Sequence, residues 1–170
     1  MNNVLNCFLV PDNQHQLLEK NSLYSSAYLA NGLKYRTMCW KSEHELMKFM
    51  TERGVSSAET STQSCITLET PDGRRFLLTS KFVNRPFPHD DIVSDLIVQV
   101  SNTVYWLDRD DPTKVLGTFQ LSQPLKFYHD ASICQGVLSV RYVRKSDIVH
   151  ADPYYFDESE LLTETFQMNN

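Results

Sequence analysis

The strongest constraint on the fold is a hairpin signal near the middle of the chain. Residues 64–70 and 74–82 flank Pro71-Asp72-Gly73, and Gly73 can take the positive φ that a tight reversal needs. Ile66 and Leu68 alternate along one arm; Phe76, Leu78 and Phe82 alternate along the other. Such a unit commits the chain to antiparallel pairing.

Other segments carry the same period of two. Residues 3–10 read as a strand stopped by Pro11. In 33–40, Leu33, Tyr35, Thr37 and Cys39 alternate with Lys34, Arg36, Met38 and Trp40. Residues 103–107 and 114–121 form a second hairpin around the polar turn 108–113. A long strand over 135–145 alternates Leu138, Val140 and Tyr142 with Ser139, Arg141 and Val143. Residues 90–100 fit a short helical turn leading into a strand.

Helical patterns are fewer. Residues 13–21 suggest a short helix around Leu17 and Leu18. Ser42 with Glu45 makes a capping box for a helix whose apolar face is Leu46, Met47, Phe49 and Met50, with Gly54 as its stop. Asp157 with Glu160 makes a second box, which predicts a last helix over 157–167 with Leu161, Leu162, Thr165 and Phe166 inward. Residues 55–63, rich in Ser and Thr, and the Pro-punctuated 84–89 read as loops. The expectation is an α+β fold: one compact domain over 1–170, a mostly antiparallel sheet of about seven strands, and two or three helices.

Composition permits a real core. With 170 residues, 41% hydrophobic and 22% charged, a chain this size buries roughly 70% of its unfolded surface. It needs no disulfide or metal to fold. Cys7, Cys39, Cys65 and Cys134 lie far apart without a C-x-x-C pair, which reads as thiols in a reducing, cytoplasmic setting. The apolar start ends at Pro11-Asp12, too soon for a signal peptide, and no run approaches the ~20 apolar residues of a membrane span.

The net charge of −5 is unevenly placed. Residues 146–170 hold six carboxylates (Asp147, Asp152, Asp157, Glu158, Glu160, Glu164) and no Lys or Arg, which leaves the remainder near +1. Such asymmetry bears on partners rather than on fold.

Several chemistries lack their signatures. The five glycines are dispersed, so no phosphate-cradling loop is present. No nucleophile elbow, zincin pair or deaminase signature occurs. No cofactor and no metal centre is expected, and no motif names a family.

Three constellations remain. His89-Asp90-Asp91, His129-Asp130 and His150-Ala151-Asp152 offer imidazole and carboxylate to a metal-dependent hydrolase or nuclease, with His89, Asp91, His129, Asp130, His150 and Asp152 as its residues. Basic-aromatic strands carrying Arg36, Arg141 and Arg144 suit RNA or single strands, although the pI of about 5.5 opposes phosphate binding. The third is Asp152-Pro153-Tyr154-Tyr155-Phe156-Asp157-Glu158. Three consecutive aromatics cannot all point one way, so at least one is near the surface unless the segment docks closely; the alternative is that Tyr154–Phe156 pins the last helix to the sheet, and both hold if one aromatic anchors and another is exposed. The preferred expectation is a non-catalytic binding module, an inhibitor or adaptor without membrane contact. It would engage a basic surface of a partner protein through Tyr154, Tyr155, Asp157, Glu158 and Glu160.

Overall fold

The computed structural model describes residues 5–15, 28–30, 33–38, 44–56, 64–80 and 95–168. Among them, eleven strands form three antiparallel sheets. The strands are β1 (Asn6–Val10), β2 (Tyr28–Ala30), β3 (Leu33–Met38), β4 (Ser64–Glu69), β5 (Arg75–Ser80), β6 (Leu96–Val100), β7 (Thr103–Leu107), β8 (Val115–Gln120), β9 (Leu125–Cys134), β10 (Val137–Arg144) and β11 (Leu161–Gln167). One helix, α1 (His44–Thr51), lies between β3 and β4. The sheets run β1-β5-β4-β3-β2, β6-β7-β8 and β11-β10-β9.

The layers follow from alternation. Inward residues of β4 and β5 (Ile66, Leu68, Phe76, Leu78) pack on Leu96, Val98 and Val100 of β6 and Leu107 of β7. The opposite face of the middle sheet, with Ile97, Val104 and Trp106, packs on Ala131, Leu138, Val140 and Tyr142 of the third sheet. The middle sheet is therefore covered on both faces, which is why β6 is an almost continuous apolar run. Its one polar residue, Gln99, is fully buried and donates Nε2 to Ser101 O at 2.8 Å. On the outer side of the first sheet, Phe49 and Met50 of α1 meet Val10 and Leu77. Each such buried side chain contributes roughly 1.5–3 kcal/mol.

Turn chemistry agrees with the sequence at two sites. Gly73 has φ +88° between the paired arms β4 and β5. Gly54 has φ +96°, and bonds from Val55 N to Met50 O and Gly54 N to Thr51 O close α1 in a Schellman arrangement.

The expected count of seven strands with two or three helices is wrong. One helix of eight residues and two 3-10 turns, Asp12–Gln14 and Glu158–Glu160, are the helical structure among the described residues. The largest correction concerns 157–167. Its capping box forms, but the turn it caps ends at Glu160 and the chain continues as β11. Leu162 and Phe166 lie opposite Tyr142 and Leu138 of β10, and Thr163 and Thr165 point outward. The segment satisfies both periods locally, and pairing with β10 together with two β-branched threonines decides for the strand.

β9 has no counterpart among the expected elements. Its alternation is broken twice by bulges: between Arg141/Tyr142 and between Val143/Arg144 the register passes over His129 and Lys126. Beyond Asn13, Gln14 and His15, the short helix expected over 13–21 lies outside the described residues, as does Ser42. The helical turn expected before β6 falls on residues outside them too. No helix of the described residues is long and apolar enough to cross a membrane.

Candidate functional site at the connection from β10 to β11

Residues 145–160 join β10 to β11 without regular structure until the 3-10 turn. Local bonds shape the path. Lys145 N donates to Pro124 O, Tyr154 N to Asp152 Oδ1 at 2.9 Å, and Tyr155 N to Asp152 O at 3.1 Å. Asp152 thus folds the chain back on itself at Pro153-Tyr154.

The two bulged residues of β9 hold this connection against the third sheet. Lys126 Nζ donates to Tyr155 O at 3.1 Å, and the His129 ring lies edge-on to Phe156 at 5.8 Å. Bulges re-aim side chains that regular pleating would bury or lose to the other face. Phe156 also meets Phe127 at 5.7 Å and is half-buried. The three aromatics divide their work: Phe156 anchors, while Tyr154 and Tyr155 are 77% and 52% exposed. Ile148 (58%) and Val149 (94%) stand out beside them in the same connection. Apolar side chains so exposed gain nothing for the fold.

Beneath them lies a polar cluster. Glu160 is buried, and its Oε1 accepts from His150 Nε2 at 2.9 Å and from Asp157 N at 2.8 Å. Tyr155 donates its hydroxyl to Asp157 Oδ1 at 3.1 Å, and its ring meets the His150 ring at 4.8 Å. The Asp157 amide and the His150 imidazole hold the Glu160 carboxyl below its ordinary range. The bond to Asp157 raises the Tyr155 phenol. Glu160 Oε2 is buried without a hydrogen-bond partner.

The carboxylates of this region therefore differ in kind. Glu160 faces inward and supports the connection, so it is no surface contact. Burial would raise the Glu164 carboxyl, but bonds from the Tyr142 hydroxyl and Ser122 N outweigh that and hold it low. Asp147, Asp152 and Glu158 are exposed, and Asp157 is half-buried. No Lys or Arg of the described residues pairs with any of these four.

Among the described residues, the members of the other constellations do not come together. His89, Asp90 and Asp91 lie outside the described residues. Asp130 gives both oxygens to Arg141, at 2.8 and 2.6 Å, and is 3.9 Å from His129. His150 pairs with Glu160, ten residues on, and not with Asp152. For the basic strands, Arg141 is thus already neutralised, Arg144 donates to Lys145 O at 3.4 Å, and Tyr142 is fully buried, so it offers no face for a base. Arg36 lies in β3, with its side chain outside the described set.

Sequence reading missed Ile148, Val149 and the union of His150 with Glu160. One signal pointed to the latter: in a capping box the Glu side chain turns back to the chain, so Glu160 was already committed inward. Compared with known protein families, curated proteins and solved structures, the chain matches none.

Proposed function

We propose that the protein is a non-catalytic binding module that grips a basic, partly apolar surface of a partner protein through residues 147–158. One observation carries the reading. Seven large hydrophobic residues stand exposed among the described residues, and four of them, Ile148, Val149, Tyr154 and Tyr155, belong to this one connection. Tyrosine is a preferred anchor of binding energy, because it buries a large rigid surface and keeps a polar end. Asp147, Asp152 and Glu158 are exposed in the same connection without cationic partners among the described residues, which suits the steering of a positively charged target. Tyr154, Tyr155, Asp157 and Glu158 are the contacts, and Glu160 supports them from below. An inhibitor or adaptor that occupies a nucleic-acid-binding cleft would use these carboxylates in place of phosphates.

The test is affinity capture from the native host with three baits: the wild type, the pair Tyr154→Ala and Val149→Ser, and the set Asp147→Asn, Asp152→Asn and Glu158→Gln. The expected result is a basic protein held by the wild type, released by raised salt and lost with both variants. A captured set identical for all three baits contradicts the proposal.

A further inference from the structure

We propose that His150, Asp157 and Glu160 form a binding site for one divalent transition-metal ion of the zinc type. This inference stands on the polar cluster and does not depend on the partner reading. One ligand atom from each of the three residues lies within 4.8 Å of the others. Zinc bonds to nitrogen and oxygen are about 2.0–2.2 Å long, so two donors of one tetrahedral ion lie roughly 3.3–3.6 Å apart. At its widest the cluster is therefore about an ångström looser than an occupied site, a gap that side-chain rotation has to close on binding.

A second, independent observation points to a cation. Glu160 is 1% exposed, and its Oε2 is buried with no hydrogen-bond partner. A buried carboxylate oxygen without a donor is costly, and a metal ion removes that cost directly. The surroundings have the organisation that metal ligands need. The Tyr155 hydroxyl orients Asp157 through Oδ1, and the Asp157 amide fixes Glu160 through Oε1. Such outer bonds set ligand direction and tune affinity. His150 is largely shielded, with 13% of its side chain exposed.

The donor set selects the class of ion. Magnesium and calcium prefer six or more oxygens and take imidazole poorly, whereas imidazole with carboxylates suits zinc. Two carboxylates and a neutral imidazole balance a double positive charge. Three protein ligands leave a fourth position for water or for a donor from a bound molecule. The ligands also bracket the segment that bears Tyr154 and Tyr155, so occupancy ties both ends of that segment together.

Calorimetric titration of the chelator-treated protein with Zn2+ tests the site, with Mg2+ and Ca2+ as comparators. The expected result is one Zn2+ per chain, at least tenfold weaker binding in His150→Gln and in Asp157→Asn, and unchanged stoichiometry in His129→Gln. The side-chain amide introduced by His150→Gln can still donate to Glu160. The one introduced by Asp157→Asn can still accept from the Tyr155 hydroxyl, so both variants preserve the local bonds. Their thermal transitions, measured without metal, should match the wild type. The His150 imidazole resonances should shift on Zn2+ addition. Absence of stoichiometric Zn2+ binding, equal binding by His150→Gln, or equal affinity for Ca2+ overturns the proposal.

Discussion

Two connections in this molecule are rich in carboxylates, and they use them in opposite ways. The turn from β7 to β8 carries Asp108, Asp110 and Asp111. Asp108 Oδ1 accepts from the amides of Asp110 (2.9 Å) and Asp111 (3.4 Å), and Asp111 Oδ1 accepts from Thr113 N at 3.2 Å. Asp108 N and Lys114 O close the turn at 3.0 Å. Two of its three acids are thus spent on backbone geometry. The connection from β10 to β11 spends Asp152 in the same way, but it turns Glu160 inward against His150 and pushes four large hydrophobic side chains into solvent. Acid density alone does not mark a site. What separates the two connections is apolar surface held outside the core, above a buried carboxylate with an unmatched oxygen.

The largest expected effect attacks that contrast directly. Replacing Tyr154 by Ala and Val149 by Ser should weaken partner binding by about 30-fold, since an anchor of this kind supplies roughly 2 kcal/mol. Stability should stay within about 0.5 kcal/mol, because both side chains are exposed. The matching control is Val115→Ser with Leu116→Ser on the edge strand β8, which also exposes apolar surface beside an acidic turn. Partner titration and thermal unfolding of both pairs decide the matter. Equal losses of affinity would erase the distinction between the two regions.

Charge changes should separate the connections more finely. Asp111→Ala removes a turn acceptor and should cost about 1 kcal/mol, lowering Tm by about 2–4 °C for a chain of this size, with no effect on binding. Neutralising Asp147, Asp152 and Glu158 by Asn and Gln should leave Tm unchanged. It should slow association about tenfold at low salt and flatten its salt dependence. Stopped-flow association rates at two ionic strengths, set beside melting curves, measure both halves.

How much of this is legible in the sequence depends on whether local chemistry or distant pairing decides each element. The β4–β5 hairpin is readable because Pro71-Asp72-Gly73 fixes the reversal within the chain itself. The end of α1 at Gly54 is readable for the same reason. β11 is not, because Leu161, Leu162, Thr165 and Phe166 suit a helix as well as Leu162 and Phe166 suit a strand, and only β10 arbitrates. β9 is hidden by its own bulges, whose extra residues, Lys126 and His129, break the period of two. In the site, three consecutive aromatics imply that one reaches solvent, but not which. The meeting of His150 with Glu160 depends on the path of the intervening residues, which no local pattern encodes.

The smallest expected effect is a local dependence on acid. The Glu160 carboxyl is held low by the Asp157 amide and by His150, with Lys126 adding a weaker field. Its ordinary value is about 4.3, so the folded state favours the ionised form. That stabilisation is present above the unfolded value and is lost as pH falls through the lower folded one. Acidification below about pH 4.3 should therefore loosen residues 150–160. Amide exchange across a falling pH series reads this directly. Glu160→Gln, which still accepts from Asp157 N but carries no charge, should flatten the slope in the connection and leave the turn untouched. A slope that persists in Glu160→Gln would assign the acid response to another group, and the inward-facing carboxylate would no longer distinguish the two connections.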